Sequence, residues 1–234
     1  GQGWLDSNRQ TVGLAKTAEI YTDIHHFDQL LNNWQQHNHD SNVLCAQCAA
    51  NLTAAIDLYQ DDFMAGFVLP DSNNFERWQQ QQTAEKRQAL AEALDKLNHW
   101  HLAADNHSFV KTAHHRLNLD PAHEPTHRLL MIYYAKEKQP AAALTQYQQS
   151  VSALATELAL EPTAETAALY EQIQNGRFPN NWHSLINTSY QILTQAAPKD
   201  KSFNSTQDQS PNLPTLRQSS GQASQSPTPN PHNL

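Results

Sequence analysis

The chain has 234 residues, enough for one domain with a sizeable core and for further segments beside it. Its six glycines disfavour an all-β sandwich with many tight turns, and its formal net charge of −8 disfavours a free-standing nucleic-acid binder. A hydrophobic content of 38% and a mean hydropathy of −0.71 indicate that part of the chain contributes little to a core.

The two cysteines, Cys45 and Cys48, are too few to cross-link a secreted scaffold. The first residues, Gly-Gln-Gly-Trp, show neither the basic region nor the apolar run of a signal peptide. No stretch approaches the roughly 18 to 20 apolar residues that a membrane span needs. We therefore expect a cytoplasmic location and, because no initiator Met is present, a piece of a longer protein.

The first predicted elements are two short strands, over residues 9–15 and 19–23, on either side of a short polar turn. This pattern is typical of a β-hairpin. Two strands alone are marginally stable in water. We expect the hairpin either to lean on the helices that follow or to belong to a domain upstream.

The hydrophobic period becomes helical from Ile24, and a second apolar stripe runs from Cys45 to Tyr59. The connector over residues 61–70 carries apolar residues that we expect to pack under the helices. A long helix is predicted from near Asn73 to about Ala104. Its predicted core face is formed by Leu90, Ala93, Leu94, Leu97 and His101.

Shorter helices are predicted over residues 107–118, 123–137, 140–158 and 163–175, with Thr163 as the N-cap of the last. No strand is predicted after residue 23, so the middle of the chain is predicted to be all-α.

Two helix ends share one sequence pattern, an apolar-x-apolar stretch followed by an acidic residue and a proline. These segments are 117–121 and 158–162, and the second lies 41 residues after the first. Proline ends a helix, so each segment marks a boundary. A tetratricopeptide repeat has a period of about 34 residues, so one unit would carry longer helices or an insertion. Periodicity alone leaves a helical-hairpin solenoid and an irregular helical bundle open.

The end of the chain differs in composition from the middle. Residues 182–196 are compatible with one more short helix, but from about Ala197 Ser, Pro, Gln, Asn and Thr dominate. Such a segment cannot bury enough apolar surface to offset the entropy of ordering it. We predict a mostly disordered linker.

One local pattern suggests metal chemistry: His37-x-His39, then five residues, then Cys45-x2-Cys48. Two imidazoles and two thiolates are able to form a tetrahedral zinc site. The simplest interpretation is instead that both cysteines are small buried hydrophobic residues on a helix, and a redox-sensitive pair is a third. Zinc is the only cofactor that the sequence suggests.

No other pattern in the sequence indicates catalysis. The chain has 13 histidines, mostly in polar surroundings, where we expect them to be exposed or to cap helices. A histidine base needs a positioned partner and a pocket, and the spacing shows neither a Ser-His-Asp set nor paired carboxylates. We therefore predict that the chain is not an enzyme.

Specific motifs resemble a known family. The run from Leu58 to Ser72 (LYQDDFMAGFVLPDS) and Phe75-Glu-Arg-Trp78 resemble the signature of the bacterial transcriptional activator domain. The later segments 142–147, 157–162 and 165–173 resemble the closing helices of the same domain. This is the tetratricopeptide-like module of antibiotic-regulatory-protein-type regulators, and the resemblance covers about residues 24–177.

The resemblance implies an all-α, tetratricopeptide-like helical-repeat domain over residues 24–177. Residues 1–23 would be the hairpin that ends an upstream winged-helix DNA-binding domain, and residues 178–234 a linker. In large members of the family an ATPase domain follows. The chain contains no G-x-x-x-x-G-K-[ST] phosphate loop, so we expect the ATPase to lie outside it.

The function that the resemblance implies is a protein–protein interaction and dimerisation module of a transcription regulator. It would relay between the DNA-binding domain and a downstream sensor or ATPase domain. Its expected partners are a second copy, RNA polymerase or the adjacent domains, with DNA contacted only through the upstream domain. The alternatives are a tetratricopeptide scaffold unrelated to transcription, and a zinc-dependent enzyme or zinc-stabilised domain using His37, His39, Cys45 and Cys48.

Overall fold

The computed structural model describes residues 4–15, 18, 20–37, 44–104 and 107–186, and these residues are mostly helical. The elements are β1 (Leu5–Ser7), β2 (Val12–Leu14), α1 (Asp23–Gln36), α2 (Ala46–Leu58), α3 (Asn73–Ala103), α4 (Ser108–Leu119), α5 (Glu124–Lys136), α6 (Pro140–Leu158) and α7 (Ala164–Gln174). A further helical turn covers 183–186. The predicted linker from about residue 197, and most of the helix predicted over 182–196, lie outside the described residues.

The N-terminal hairpin is present, but the predicted strand positions were wrong. Strand β1 pairs antiparallel with β2, so that Leu5 lies opposite Leu14. Strand β2 falls inside the first predicted strand, whereas its partner lies upstream. In the second predicted strand, residues 20–22 are non-regular backbone leading into α1.

Local hydrogen bonds of Asn8 explain the shift. The Asn8 side-chain oxygen accepts the backbone N–H of Gln10 and of Thr11, each at 2.8 Å. The Asn8 N–H donates to the Thr11 carbonyl at 2.9 Å. Asparagine side chains favour such turns because they mimic a backbone acceptor. The turn therefore lies at residues 8–11, a stretch that the sequence analysis had assigned partly to a strand.

Local side chains set the boundaries of several helices. The Thr22 hydroxyl oxygen accepts the His25 N–H at 3.2 Å and so caps α1. Pro125 lies in the first turn of α5 and Pro140 is the first residue of α6, positions where the missing N–H costs nothing. Helix α6 ends at a left-handed Ala159. All seven predicted helices are confirmed to within two or three residues.

The packing order of the helices identifies a repeat rather than an irregular bundle. Helices α1 and α2, α3 and α4, and α5 and α6 pack as successive pairs. In addition, α3 contacts α5 and α5 contacts α7, the helices that begin successive pairs. Contacts confined to neighbouring units are the property that defines a helical solenoid. The prediction of a tetratricopeptide-like fold is therefore confirmed.

Two groups of buried side chains form the core of this domain. The first joins α1 and α2 to the second half of α3, and the second joins the end of α3 to α4–α7 and Ile186. The predicted core face of α3, from Leu90 to His101, is buried as expected. None of the described helices combines the length and the apolar composition that crossing a bilayer requires.

A polar network joins the starts of α5 and α7. Thr163 is the N-cap of α7, as predicted, but its hydroxyl donates across to Glu124 Oε1 at 2.8 Å. The Thr163 backbone N–H donates to the same oxygen at 2.8 Å. The buried Arg128 donates to Thr166 at 3.1 Å. Because both threonines belong to the start of α7, this network fixes that helix against α5.

The expectation that histidines would be exposed or would cap helices was wrong for several positions. His99 and His127 are buried against that expectation, whereas the burial of His101 agrees with its predicted place on the core face of α3. His127 has hydrogen-bond contacts with the Pro121 carbonyl at 2.9 Å and with Gln146 at 2.6 Å. These contacts place the imidazole between α5, α6 and the turn before α5. Sequence context alone suggested a solvated ring because its neighbours along the chain are polar.

Burial of histidines predicts an acid-sensitive fold. Burial, aided by nearby Arg116, lowers the pKa of His123 to about 3, and burial lowers the pKa of His99 to about 4. The unfolded chain, with histidine pKa values near 6.5, binds more protons than the folded chain below that pH. The stability from these neutral rings is present above about pH 6.5 and is lost as pH falls towards 4. Asp95 opposes this trend, because burial raises its pKa to about 6.

We expect urea unfolding at pH 7 and pH 4.5 to show a smaller acid-induced loss of stability in His123→Gln than in the unmodified chain. The difference should be about 2 kcal/mol, from the pKa shift of one histidine. His25→Gln is the matched control, because His25 is exposed on α1. Equal acid-induced losses in the two variants would contradict the assignment.

Candidate functional sites

Three of the four residues predicted to bind metal lie at the junction of α1 and α2. His37 is the C-cap of α1, where its N–H donates to the Trp34 carbonyl at 3.3 Å. Cys45 is the N-cap of α2, and Cys48 lies in the first turn of that helix. Because α1 packs against α2, the end of one helix meets the start of the other. His39 lies outside the described residues.

The three donor atoms form a tight cluster. The His37 Nδ1 atom is 3.1 Å from Cys48 Sγ and 3.4 Å from Cys45 Sγ, and all three atoms lie within 4.8 Å of one another. His37 is exposed, Cys45 is half-buried and Cys48 is buried. The interpretation of both cysteines as buried hydrophobic residues therefore fits Cys48 but not Cys45.

The two sulfur atoms differ in electrostatic environment. The Cys45 Sγ accepts the Cys48 backbone N–H at 3.4 Å, and this bond from the start of α2 lowers the pKa of the Cys45 thiol. Burial raises the pKa of Cys48 to about 11. The two cysteines are not joined by a disulfide in this structure. At neutral pH and without metal, the thiolate of the pair therefore forms preferentially at Cys45.

A second candidate site is the α2–α3 loop, residues 59–72, which contains most of the motif that resembles the activator-domain signature. The Gln79 side-chain amide donates to the Met64 carbonyl at 2.9 Å and lies 3.4 Å from the carbonyls of Phe63 and Phe67. Arg87 forms a bidentate ion pair with Asp62 at 2.6 and 2.7 Å. Side chains of α3 thus hold the loop from one side.

Contacts between aromatic side chains also hold this loop. The ring centroids of Phe63 and Trp78 lie 5.3 Å apart, edge to face, and those of Phe67 and Phe75 lie 5.5 Å apart. Gly66 has a φ of 79°, a left-handed conformation that an L side chain rarely adopts. These features give the loop a defined shape, which explains in physical terms why the motif combines aromatic residues with a glycine.

The outer side of this loop is apolar. We define the loop surface as Met64, Phe67, Val68, Leu69 and Trp78, whose side chains are 38–71% exposed. The prediction that the connector would pack its apolar residues under the helices was therefore wrong for most of them. Phe63 and Phe75 are partly buried and occupy the inner positions, whereas Met64 and residues 67–69 are exposed to solvent. A pocket of about 530 Å³ lies between the loop and Gln79–Arg87 of α3, and none of the loop-surface residues lines it.

Comparison with known protein families shows to which family the chain belongs. The family described as the bacterial transcriptional activator domain matches residues 22–174, more than half of the chain. The chain belongs to this family. The resemblance predicted over residues 24–177 is thereby confirmed. Neither the curated proteins nor the solved structures gave a match.

Membership of this family places the matched part of the chain among regulatory domains. The activator domain is a regulatory domain and not a known enzyme family. The α2–α3 loop surface lies inside the matched region. The sequence did not predict this loop surface, although the run Phe67-Val-Leu69 was a usable signal, because three consecutive large apolar residues cannot all face inward from one short loop.

Gln79→Ala is expected to lower the free energy of unfolding of this activator domain by about 1–2 kcal/mol, because up to three loop carbonyls lose their donor. The matched control is Gln80→Ala, the exposed neighbour on the same helix, which should change stability by less than about 0.5 kcal/mol. Urea unfolding measures both. Equal effects would show that Gln79 does not hold the loop.

Proposed function

We propose that this activator domain is the protein–protein interaction module of a bacterial transcription regulator. In this proposal it relays between a winged-helix DNA-binding domain and a downstream sensor or ATPase domain, in the cytoplasm and without catalysis of its own. Residues 1–23 end the DNA-binding domain, residues 24–177 form the module, and residues 178–234 are the linker. The family match over residues 22–174 is the observation that carries the proposal.

The exposed face of the hairpin supports the placement of a DNA-binding domain before the module. Leu5 and Leu14 pair across the hairpin on one face and are 60% and 62% exposed, and Trp4 beside them is 67% exposed. A two-stranded hairpin with an uncovered apolar face is marginally stable. A domain to which the hairpin belongs would cover these side chains.

The charge of the chain supports DNA contact through another domain. With a net charge of −8, the chain lacks the excess of cations that phosphate contacts require. We expect residues 1–234 alone to give no sequence-specific complex in gel-shift selections from a randomised duplex library. Selection of a defined DNA sequence would contradict the proposal that DNA is contacted through another domain.

The loop surface is the part of the module that we assign to a protein contact, with RNA polymerase as its occupant. Val68 is 71% exposed, and contiguous apolar patches of this kind mark interaction sites. Three exposed acidic residues, Asp61, Asp71 and Glu76, flank its residues in sequence, with Arg77 as an exposed cation. A complementary partner surface would offer apolar side chains flanked by Lys or Arg.

Binding of the purified chain to purified RNA polymerase holoenzyme tests the assignment. We expect saturable binding that Val68→Ser weakens at least about tenfold, because the serine removes apolar area from the contact. Leu158→Ser is the matched control, because Leu158 is 54% exposed at the end of α6, outside the loop surface. Neither variant should alter the circular dichroism spectrum, since both positions are exposed.

The possible outcomes separate the partners. Absence of binding by the unmodified chain, or equal weakening by both variants, would contradict the contact with polymerase. If sedimentation instead shows a concentration-dependent dimer that Val68→Ser disrupts, a second copy occupies the surface in place of polymerase. Binding of polymerase that only Val68→Ser reduces supports the proposal over a general scaffold unrelated to transcription.

A further inference from the structure

We infer that His37, Cys45 and Cys48 form a zinc-binding site that joins the end of α1 to the start of α2. Nothing in the proposed function depends on this site. The three residues come from two helices that pack together, and the chain between them covers residues 38–44. An ion held here would close that connection, so its role would be structural.

The distances between the donor atoms fit a tetrahedral zinc ion. With Zn–S near 2.3 Å and Zn–N near 2.0–2.1 Å, the tetrahedral angle places nitrogen and sulfur about 3.5 Å apart. The His37 Nδ1 atom lies 3.1 Å from Cys48 Sγ and 3.4 Å from Cys45 Sγ. The two sulfur atoms lie within 4.8 Å of each other, and a tetrahedral zinc ion would hold them about 3.8 Å apart, an adjustment within the reach of side-chain rotation.

The chemistry of the donors selects the kind of metal. Two sulfur ligands and one imidazole favour zinc and exclude the hard cations Mg²⁺ and Ca²⁺, which prefer oxygen. The Cys48 N–H that donates to Cys45 Sγ would remain as an outer hydrogen bond that orients the thiolate. The donors, their spacing and this supporting bond are therefore all present before a metal binds.

Burial alone does not explain this arrangement. Cys48 is buried and would serve as a small apolar residue without any ligand, but Cys45 is only partly buried and His37 is exposed. The His37 ring nevertheless directs its Nδ1 atom at both sulfur atoms. Three ligands leave one position of a tetrahedral ion for a further donor.

Titration of the reduced, chelator-treated chain with CoCl₂ tests the site directly. Tetrahedral cobalt bound to thiolates gives strong visible d–d bands and a sulfur-to-metal charge-transfer band. We expect these bands to saturate at one equivalent and to disappear when ZnCl₂ is added. Absence of both bands under reducing conditions would overturn the inference. That result would hold even if the two cysteines form a disulfide in air, because a disulfide without metal binding is not a zinc site.

Three single variants distinguish the site from adventitious binding. Cys45→Ser and His37→Ala each remove a ligand and should weaken cobalt binding at least about tenfold. Both should fold, because serine is a favourable N-cap and His37 is exposed. His25→Ala, which removes an exposed histidine of the same helix, should bind like the unmodified chain. Equal affinities in all three variants would overturn the inference.

Thermal unfolding provides a readout that does not depend on colour. We expect a hundredfold excess of free ZnCl₂ over the dissociation constant to raise the Tm of the unmodified chain by about 5 °C. The same addition should raise the Tm of Cys45→Ser by at most about half as much, because its binding is at least about tenfold weaker. His39 was predicted as a fourth ligand from the sequence, and His39→Ala should also weaken cobalt binding; an unchanged affinity would contradict that prediction.

Discussion

Glu124→Ala is expected to lower the free energy of unfolding by about 3–5 kcal/mol, because it leaves a buried guanidinium without its carboxylate. Arg128 Nη1 lies 3.8 Å from Glu124 Oε1, and both side chains are about nine-tenths buried. The same oxygen accepts the Thr163 N–H and hydroxyl, which lie 39 residues away in sequence. The variant would therefore lose two of the hydrogen bonds that attach α7 to α5, together with an ion pair.

Urea unfolding followed by circular dichroism measures this loss. Glu171→Ala is the matched control, since Glu171 is exposed on α7 and its removal should change stability by less than about 0.5 kcal/mol. Glu124→Gln should fall between the two, because an amide oxygen still accepts hydrogen bonds but carries no charge. A loss below 1 kcal/mol in Glu124→Ala would show that the network does not hold α7.

Leu130→Ala is expected to lower the free energy of unfolding by about 3–4 kcal/mol. Leu130 is 0% exposed in the second core group, where α5 packs between α4 and α6. The truncation removes apolar contacts and leaves a cavity that the neighbouring helices cannot fully close. Because α5 contacts every helix from α3 to α7, few positions should be more sensitive.

The control for this prediction is Leu158→Ala, the same chemical change at a residue that is 54% exposed. We expect that variant to lose less than about 1 kcal/mol, since the alanine replaces a side chain that water already contacts. Thermal and urea unfolding should give the same order. Equal losses in the two variants would contradict the placement of α5 at the centre of the repeat.

The helices were predictable because their signals are local. Apolar spacing defined α3 and its buried face from Leu90 to His101, and the prolines of segments 117–121 and 158–162 marked the ends of α4 and α6. The hairpin was misplaced because its position depends on a side-chain turn at Asn8, which the alternation of apolar and polar residues does not encode. The contact of Thr163 with Glu124 was not predictable, since it requires knowing which helices meet.

The two candidate sites were likewise predictable only in part from the sequence. The spacing of Cys45 and Cys48 follows from one helical turn, but the approach of His37 results from the packing of α1 on α2. The motif in the α2–α3 loop was recognisable from its residues. Its outward apolar face was not, because Phe63 and Phe75 occupy the inner positions and leave Val68 in solvent.

The measurement that tests most directly whether this domain acts through a protein contact is transcription from a reporter promoter in bacteria. The chain is fused to an unrelated DNA-binding domain whose operator lies upstream of a weak promoter. We predict higher transcription than with the DNA-binding domain alone, reduced to that baseline by Val68→Ser and retained by Leu158→Ser. Transcription at the baseline with the unmodified, folded fusion would contradict the assignment of an activating protein contact to this domain.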